Sequence, residues 1–154
     1  MAVGKLLENN KKARHDYFFL ETYECGVVLT GTEIKSVRAG GISLRDSYAK
    51  VVDGEVWVYS MHIAPYEKGN RYNTEPLRPK KLLLHKSEIR KLVGQTTQEG
   101  LTLIPVMVYL NEKGLVKMEL AVAKGKKLYD KRADIAKRDS ERDMDRSRKE
   151  RRYD

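Results

Sequence analysis

From Lys124 to Asp154 the chain offers almost nothing to a hydrophobic core. The only large apolar or aromatic side chains in this stretch are Leu128, Tyr129, Ile135, Met144 and Tyr153. Thirteen Lys or Arg stand there against eight Asp or Glu, a net +5 out of +9 for the whole chain. A segment that cannot bury apolar surface cannot offset the entropy of ordering its backbone. Compact folding therefore falls to residues 1–123, which suffice for one domain with a core of its own. The hand-over lies in Ala121–Arg138, AVAKGKKLYDKRADIAKR, where Gly125 sits among Lys124, Lys126 and Lys127. Tyr129, Asp130, Lys131 and Arg132 follow. Helix-spaced charge pairs exist beyond it, such as Asp134 with Arg138 and Asp145 with Lys149. At ~0.3–0.5 kcal/mol each they cannot hold a lone helix. The expectation is a basic C-terminal tail over 124–154, disordered when free and helical when docked on a polyanion.

The body is also basic, +4 over residues 1–123. Nucleic acid is the commonest partner of such a charge balance. The single Cys25 allows no intramolecular disulfide and fits a reducing, cytoplasmic setting. The opening MAVGKLLENN lacks the apolar run of a secretory signal, and no stretch approaches the ~20 apolar residues of a membrane span.

Residues 1–16 read as a polar arm, rich in donors at Asn9, Asn10, Lys11, Lys12, Arg14 and His15. It is either a frayed terminus or a phosphate-contacting segment. Tyr17–Tyr23 is a strand, and Glu24-Cys25-Gly26 a tight turn into Gly26–Leu29. A short helix starts at Gly31-Thr32, with Thr32 as cap and Glu33 in its first turn, and ends at Gly40-Gly41. Ser47–Val52 and Glu55–Met61 flank Asp53-Gly54, the two-residue turn whose twist matches a hairpin. That turn pairs Ala49 with Val58 and Val51 with Val56 on an apolar face, and Tyr48 with Tyr59 and Lys50 with Trp57 on the other. Residues 62–81 form an irregular basic segment holding Pro65, Pro76 and Pro79, with Lys81–His85 a short strand. Ser87 caps a helix that carries Ile89, Leu92, Val93 and Thr96 on one stripe. Leu101–Leu110 and Leu115–Ala123 make a second hairpin, in which Lys117 points away from the core and Pro105 marks an edge or bulge.

About seven short antiparallel strands with two packed helices predict a mainly β domain. The expected architecture is an antiparallel closed barrel resembling the oligonucleotide-binding fold, with flanking short helices. Enzyme chemistry finds no support. His15, His62, His85 and Cys25 have no metal-ligand spacing, no Gly-rich loop opens a helix, and Glu21, Glu24 and Glu33 specify no cation site. Neither a cofactor nor a metal is expected.

Five blocks stand here together in one order: NKKARHDYF (10–18), GTEIKSVRAG (31–40), DSY (46–48), KKLLLH (80–85) and AVAKGKKLYDKR (121–132). In order and spacing they resemble the small protein B family, the tmRNA-binding (SsrA-binding) proteins of bacterial trans-translation, over nearly the whole chain. That resemblance implies a binding adaptor, not an enzyme. It would hold the tRNA-like domain of tmRNA and deliver it to the A site of stalled ribosomes, with the tail sensing the empty mRNA channel of the small ribosomal subunit. Elongation factor Tu and alanyl-tRNA synthetase would be met through tmRNA.

Carried over residue by residue, the resemblance assigns the RNA face to Asn10, Lys11, Lys12, His15, Glu24, Leu83, Lys117 and Lys124. It assigns the ribosome-binding tail to Gly125, Lys126, Lys127, Tyr129, Asp130, Lys131, Arg132, Lys137 and Arg138, with Gly125 as the bend. The lysines suit phosphates, and Glu24 suits an RNA amino or 2′-hydroxyl donor. From the residues alone Glu24 is equally a turn residue, and Leu83 is simplest as core. Two other readings remain at this stage: a constitutive ribosome component, and a ribonuclease using Glu24 and His15.

Overall fold

A computed structural model describes residues 4–66 and 75–126. Residues from Lys127 onward, and residues 67–74 of the basic segment 62–81, lie outside the described residues. So do the expectations placed on Lys127, Tyr129, Asp130, Lys131, Arg132, Lys137 and Arg138.

The elements in order are β1 (Lys5–Asn9), α1 (Lys11–Asp16), β2 (Tyr17–Val27), α2 (Gly31–Arg38), β3 (Ile42–Ser43), β4 (Tyr48–Val52), β5 (Glu55–Tyr59), β6 (His62–Ile63), β7 (Lys80–Leu83), α3 (Lys86–Thr97), β8 (Thr102–Leu110) and β9 (Val116–Gly125). The protein is mainly β, and every strand pairing described is antiparallel. The large sheet runs β1-β8-β4-β5-β7-β2-β9, and β9 pairs back onto β8. Six strands thus close a ring, and β1 extends β8 beyond the point where β4 leaves it. Short β3 and β6 pair separately.

Local chemistry explains the elements. The first hairpin takes the expected register, from Tyr48 opposite Tyr59 to Val52 opposite Glu55. Its turn is held by positive φ at Asp53 (52°) and Gly54 (78°), as a two-residue hairpin of this twist requires. At the second hairpin the Asn111 carboxamide oxygen accepts from the backbone N–H groups of Lys113 and Leu115, each at 2.9 Å. Pro105 sits at a bulge, where the β8–β9 register shifts between Pro105 and Met107. Its missing N–H costs no ladder bond there.

Alternate residues of β9 set the two faces. Met118, Leu120 and Val122 are buried inward with Val37, Leu44, Val56, Val58, Leu82, Leu92, Leu103 and Val108 in one cluster. Full burial of such a side chain contributes about 1.5–3 kcal/mol, so this cluster is the main source of stability. The helices α2 and α3 reach it through Val37 and Leu92. Lys117, Glu119, Ala121 and Ala123 alternate with the inward set and face outward.

Several sequence expectations are corrected. The polar arm is β1 followed by α1. Glu24-Cys25-Gly26 is not a turn: all three pair with Glu119, Met118 and Lys117 inside one eleven-residue β2. The cap of α2 is Thr30, not Thr32. Its hydroxyl accepts from Glu33 N–H, and the Glu33 carboxylate accepts from Thr30 N–H at 2.9 Å. Glu33 is only 3% exposed and takes a two-pronged contact from Arg78, at 2.6 and 3.2 Å. The cap of α3 is His85, two residues before the expected Ser87, and its backbone N–H donates to the Glu88 carboxylate at 2.9 Å.

Lys80, read as a loop cation, is fully buried in β7. Its Nζ donates to the carbonyls of Met61 (2.8 Å) and Pro76 (3.0 Å). Burial brings the ammonium down to about 8 from 10.5. An amine depressed in the native state binds fewer protons there than when unfolded, so its burial costs stability below about pH 8 and that cost is relieved toward pH 10.5. Cys25 and the buried tyrosines titrate with the opposite sign in the same range, so the test is a difference. The stability of wild type minus that of Lys80→Met, from urea unfolding, should rise by ~1–3 kcal/mol between pH 8 and 10.5. A flat difference would show that Lys80 is not a buried ammonium.

Candidate nucleic-acid interface

Register places one outward row across five strands: Leu6 (β1), Tyr109 (β8), Lys117 (β9), Gly26 (β2) and Leu83 (β7). The next row holds Asn9, Met107, Glu119 and Glu24. Three of the sequence-assigned residues, Glu24, Leu83 and Lys117, therefore share one face. Leu83 is exposed, not core. Glu24 lies directly opposite Glu119, a like-charge pairing that destabilises a sheet unless something offsets it. Tyr109 reaches across β9 and donates its hydroxyl to the Glu24 carboxylate.

Farther along the same outward face lies α1. Ala13 packs on Ile104 and Ala123, with Tyr17, Phe19 and Tyr48 around them. From Lys117 to Ala123 along β9 is ~20 Å, so the face carries two stations at that spacing. The first turn of α1 is fixed by Asn10. Its carboxamide oxygen accepts from Ala13 N–H at 3.1 Å, and its Nδ2 donates to Pro105 O (2.8 Å) and Leu44 O (3.3 Å). The Asn10 backbone N–H reaches Val106 O at 2.8 Å. With 4% exposure, Asn10 builds the station from beneath.

The cations it displays differ. Lys11 is exposed. Lys12 pairs with Asp46 at 2.8 Å, which holds the Asp46 carboxyl below its usual range. Such an exposed pair is screened by solvent and adds little to stability. His15 is 88% exposed, with Nδ1 3.1 Å from Asp16. Arg14 lies over the Phe19 ring at 5.9 Å and donates to Asn9. The family resemblance gave it no site role, though it lies on the same short helix as Lys11.

The end of β9 departs from expectation. Lys124 is opposite Phe18 and belongs to the alternate face from Lys117. Gly125 pairs with Tyr17 as the last residue of the strand, without the left-handed backbone that would demand glycine. It is not a bend. Lys126 closes back on the body, its Nζ 5.2 Å from the Phe18 ring centre and 3.3 Å from Arg14 O.

With this geometry in hand, comparison with known proteins is decisive. The family described as SmpB protein matches residues 7–150. The chain belongs to that family. The SsrA-binding protein of Ruminiclostridium cellulolyticum is 62% identical over 95% of this chain and 94% of its own length. That of Acetivibrio thermocellus is 60% identical over the same shares. A chain in the solved structure described as "tmRNA-SmpB: a journey to the center of the bacterial ribosome" superposes with a TM-score of 0.65 at 52% identity, covering 77% of this chain and 82% of the other.

Tyr109 is a residue that sequence reasoning passed over. The signal was available: β8 is buried on both faces over much of its length, and a buried tyrosine needs an acceptor for its hydroxyl. Cys25 is poorly placed for nucleophilic chemistry: it is buried and its thiol is pushed up to about 12. Among the described residues no cluster of His, Cys, Asp and Glu could hold a metal ion, and no helix is long and apolar enough to cross a membrane. The aromatic row is half-buried: Tyr48 and Tyr59 stack at 5.4 Å, and Lys50 lies 5.6 Å over Tyr48.

The two α1 residues Asn10 and Lys11 should separate in denaturation. Asn10→Ala removes a cap and leaves buried carbonyls without donors, and should cost ~2–3 kcal/mol in urea unfolding. Lys11→Ala should change stability by less than ~0.5 kcal/mol. Equal effects would contradict the structural role of Asn10.

Proposed function

We propose that this chain is the RNA-binding adaptor of trans-translation, holding the tRNA-like domain of tmRNA and carrying it to the A site of stalled ribosomes. The observation that carries the reading is the single outward face with two stations: Glu24, Lys117 and Leu83 on the sheet, and the cations of α1 along it. The closed ring of six strands acts as a barrel of the oligonucleotide-binding kind, rigid enough to hold both stations at a fixed spacing. Lys117, Lys11 and Lys12 neutralise phosphates. Glu24 accepts from an amino group or 2′-hydroxyl, and Leu83 offers an apolar surface to an unstacked base. The family's relatives are named for binding SsrA, and recognition by shape and backbone charge requires no bond to be made or broken by the protein.

In the same reading the tail from Lys127 onward folds as a helix against ribosomal RNA in the empty mRNA channel. Tyr129 stacks, while Lys131, Arg132, Lys137 and Arg138 meet phosphates. Lys124 and Lys126 mark the border between body and tail. Elongation factor Tu and alanyl-tRNA synthetase come into contact through the bound RNA. The setting is the cytoplasm.

Because β9 runs to Gly125 and Lys126 closes on Phe18 and Arg14, the informative truncation ends after Lys126. Cut there, the protein should keep its affinity for a tRNA-like transcript within about threefold and lose tagging of stalled products. Loss of most RNA affinity in a gel-shift titration would refute the division of labour. Lys117→Ala should weaken RNA binding and lower the slope of log K against log salt by about one. An unchanged slope would remove Lys117 from the phosphate contacts.

A further inference from the structure

The Glu24 carboxylate stands on an open sheet face, where an unassisted glutamate samples several rotamers. Its nearest strand neighbour in register is Glu119, which repels it. Lys117, one row away, attracts it diagonally and would draw both groups out of reach of RNA. Tyr109 opposes these tendencies. It is 1% exposed although it sits on the outward face, and its hydroxyl reaches Glu24 Oε2 across the intervening strand β9. The two backbones stand two strand spacings apart, roughly 10 Å, so only a side chain of tyrosine's length can make the bridge. Burial, and then the neighbouring Glu24, raise the Tyr109 phenol above its ordinary value, so it remains a donor throughout the neutral range.

We propose that Tyr109 is a positioning residue for RNA recognition: it occupies Oε2 of Glu24 and so aims Oε1 at a hydrogen-bond donor of the RNA. The proposal rests on the RNA-binding reading above. Tyr109 contributes by pre-organisation, since a carboxylate already fixed loses less freedom on binding. Its hydroxyl also takes up part of the negative charge that would otherwise face Glu119 alone. Lys117 is left to the phosphates.

A double-mutant cycle on the full-length chain tests this, with an in vitro transcript of the tRNA-like domain as probe and affinities titrated at four salt concentrations. Glu24→Gln and Tyr109→Phe should each weaken binding about 5–10-fold. The double variant should bind no more weakly than Glu24→Gln alone, because the hydroxyl acts only through the carboxylate. In Tyr109→Phe the salt slope should equal that of wild type, because no phosphate contact is lost. A merely structural tyrosine would instead give additive losses, or would loosen Lys117 and lower the slope; either result overturns the proposal. So does wild-type affinity in Tyr109→Phe where Glu24→Gln binds weakly, or an inert Glu24→Gln. If wild type itself fails to bind the transcript, the adaptor reading falls first, and the proposal with it. Urea unfolding of each variant accompanies the cycle. Tyr109→Met, which keeps the apolar bulk, replaces the phenylalanine variant should that one not fold.

Discussion

The structure depends on a single buried amide. Asn10 ties the end of β1, the first turn of α1, the bulge in β8 and the segment before β4 to one another through one side chain and its own backbone N–H. The carbonyls of Pro105 and Val106 that it meets lie where the β8–β9 register shifts. The bulge beside Pro105 thus lies where a helix is anchored on the outside of the sheet. Without such an anchor, six residues of helix would not persist, since a helix that short has too few internal hydrogen bonds to offset its nucleation. The cations of α1 owe their position to an uncharged neighbour.

The same logic governs the sheet face. An outward-facing Glu24 opposite Glu119 is a local conflict, and conflicts between local preference and fold collect where recognition happens. The neighbouring row is arranged around the conflict: the buried Tyr109, then Lys117, then a small Gly26 beside the exposed Leu83. Affinity for a polyanion comes from lysines, but an acceptor held in a fixed direction adds a preference for groups that phosphates do not supply.

Much of this was legible in the sequence, and the misses share a cause. Periodicity and turn chemistry are local, so Asp53-Gly54 gave the hairpin register and the alternation of Val116, Met118, Leu120 and Val122 gave the orientation of Lys117. The family resemblance added Glu24 and Leu83, and their register brings them onto one face. What could not be read were contacts between distant segments. Asn10 resembled any polar arm residue until Pro105 and Leu44 were beside it. Lys80 counted as a loop cation until Met61 and Pro76 supplied its acceptors. Glu24-Cys25-Gly26 has the composition of a turn, and only pairing with β9 keeps it extended, an instance of tertiary context overriding local preference. Gly125, for the same reason, ends a strand.

The closing of Lys126 onto Phe18 and Arg14 has a mechanical consequence. A pull applied beyond that residue enters the body along the axis of β9, not across it. There it meets nine ladder pairs to β2 on one edge and eight to β8 on the other. Loaded along the strand, these bonds bear the force together, whereas bonds at a peeling edge fail one after another. The element that joins body to tail is also the most doubly bonded strand in the ring, so the body can be towed by its tail without being unzipped.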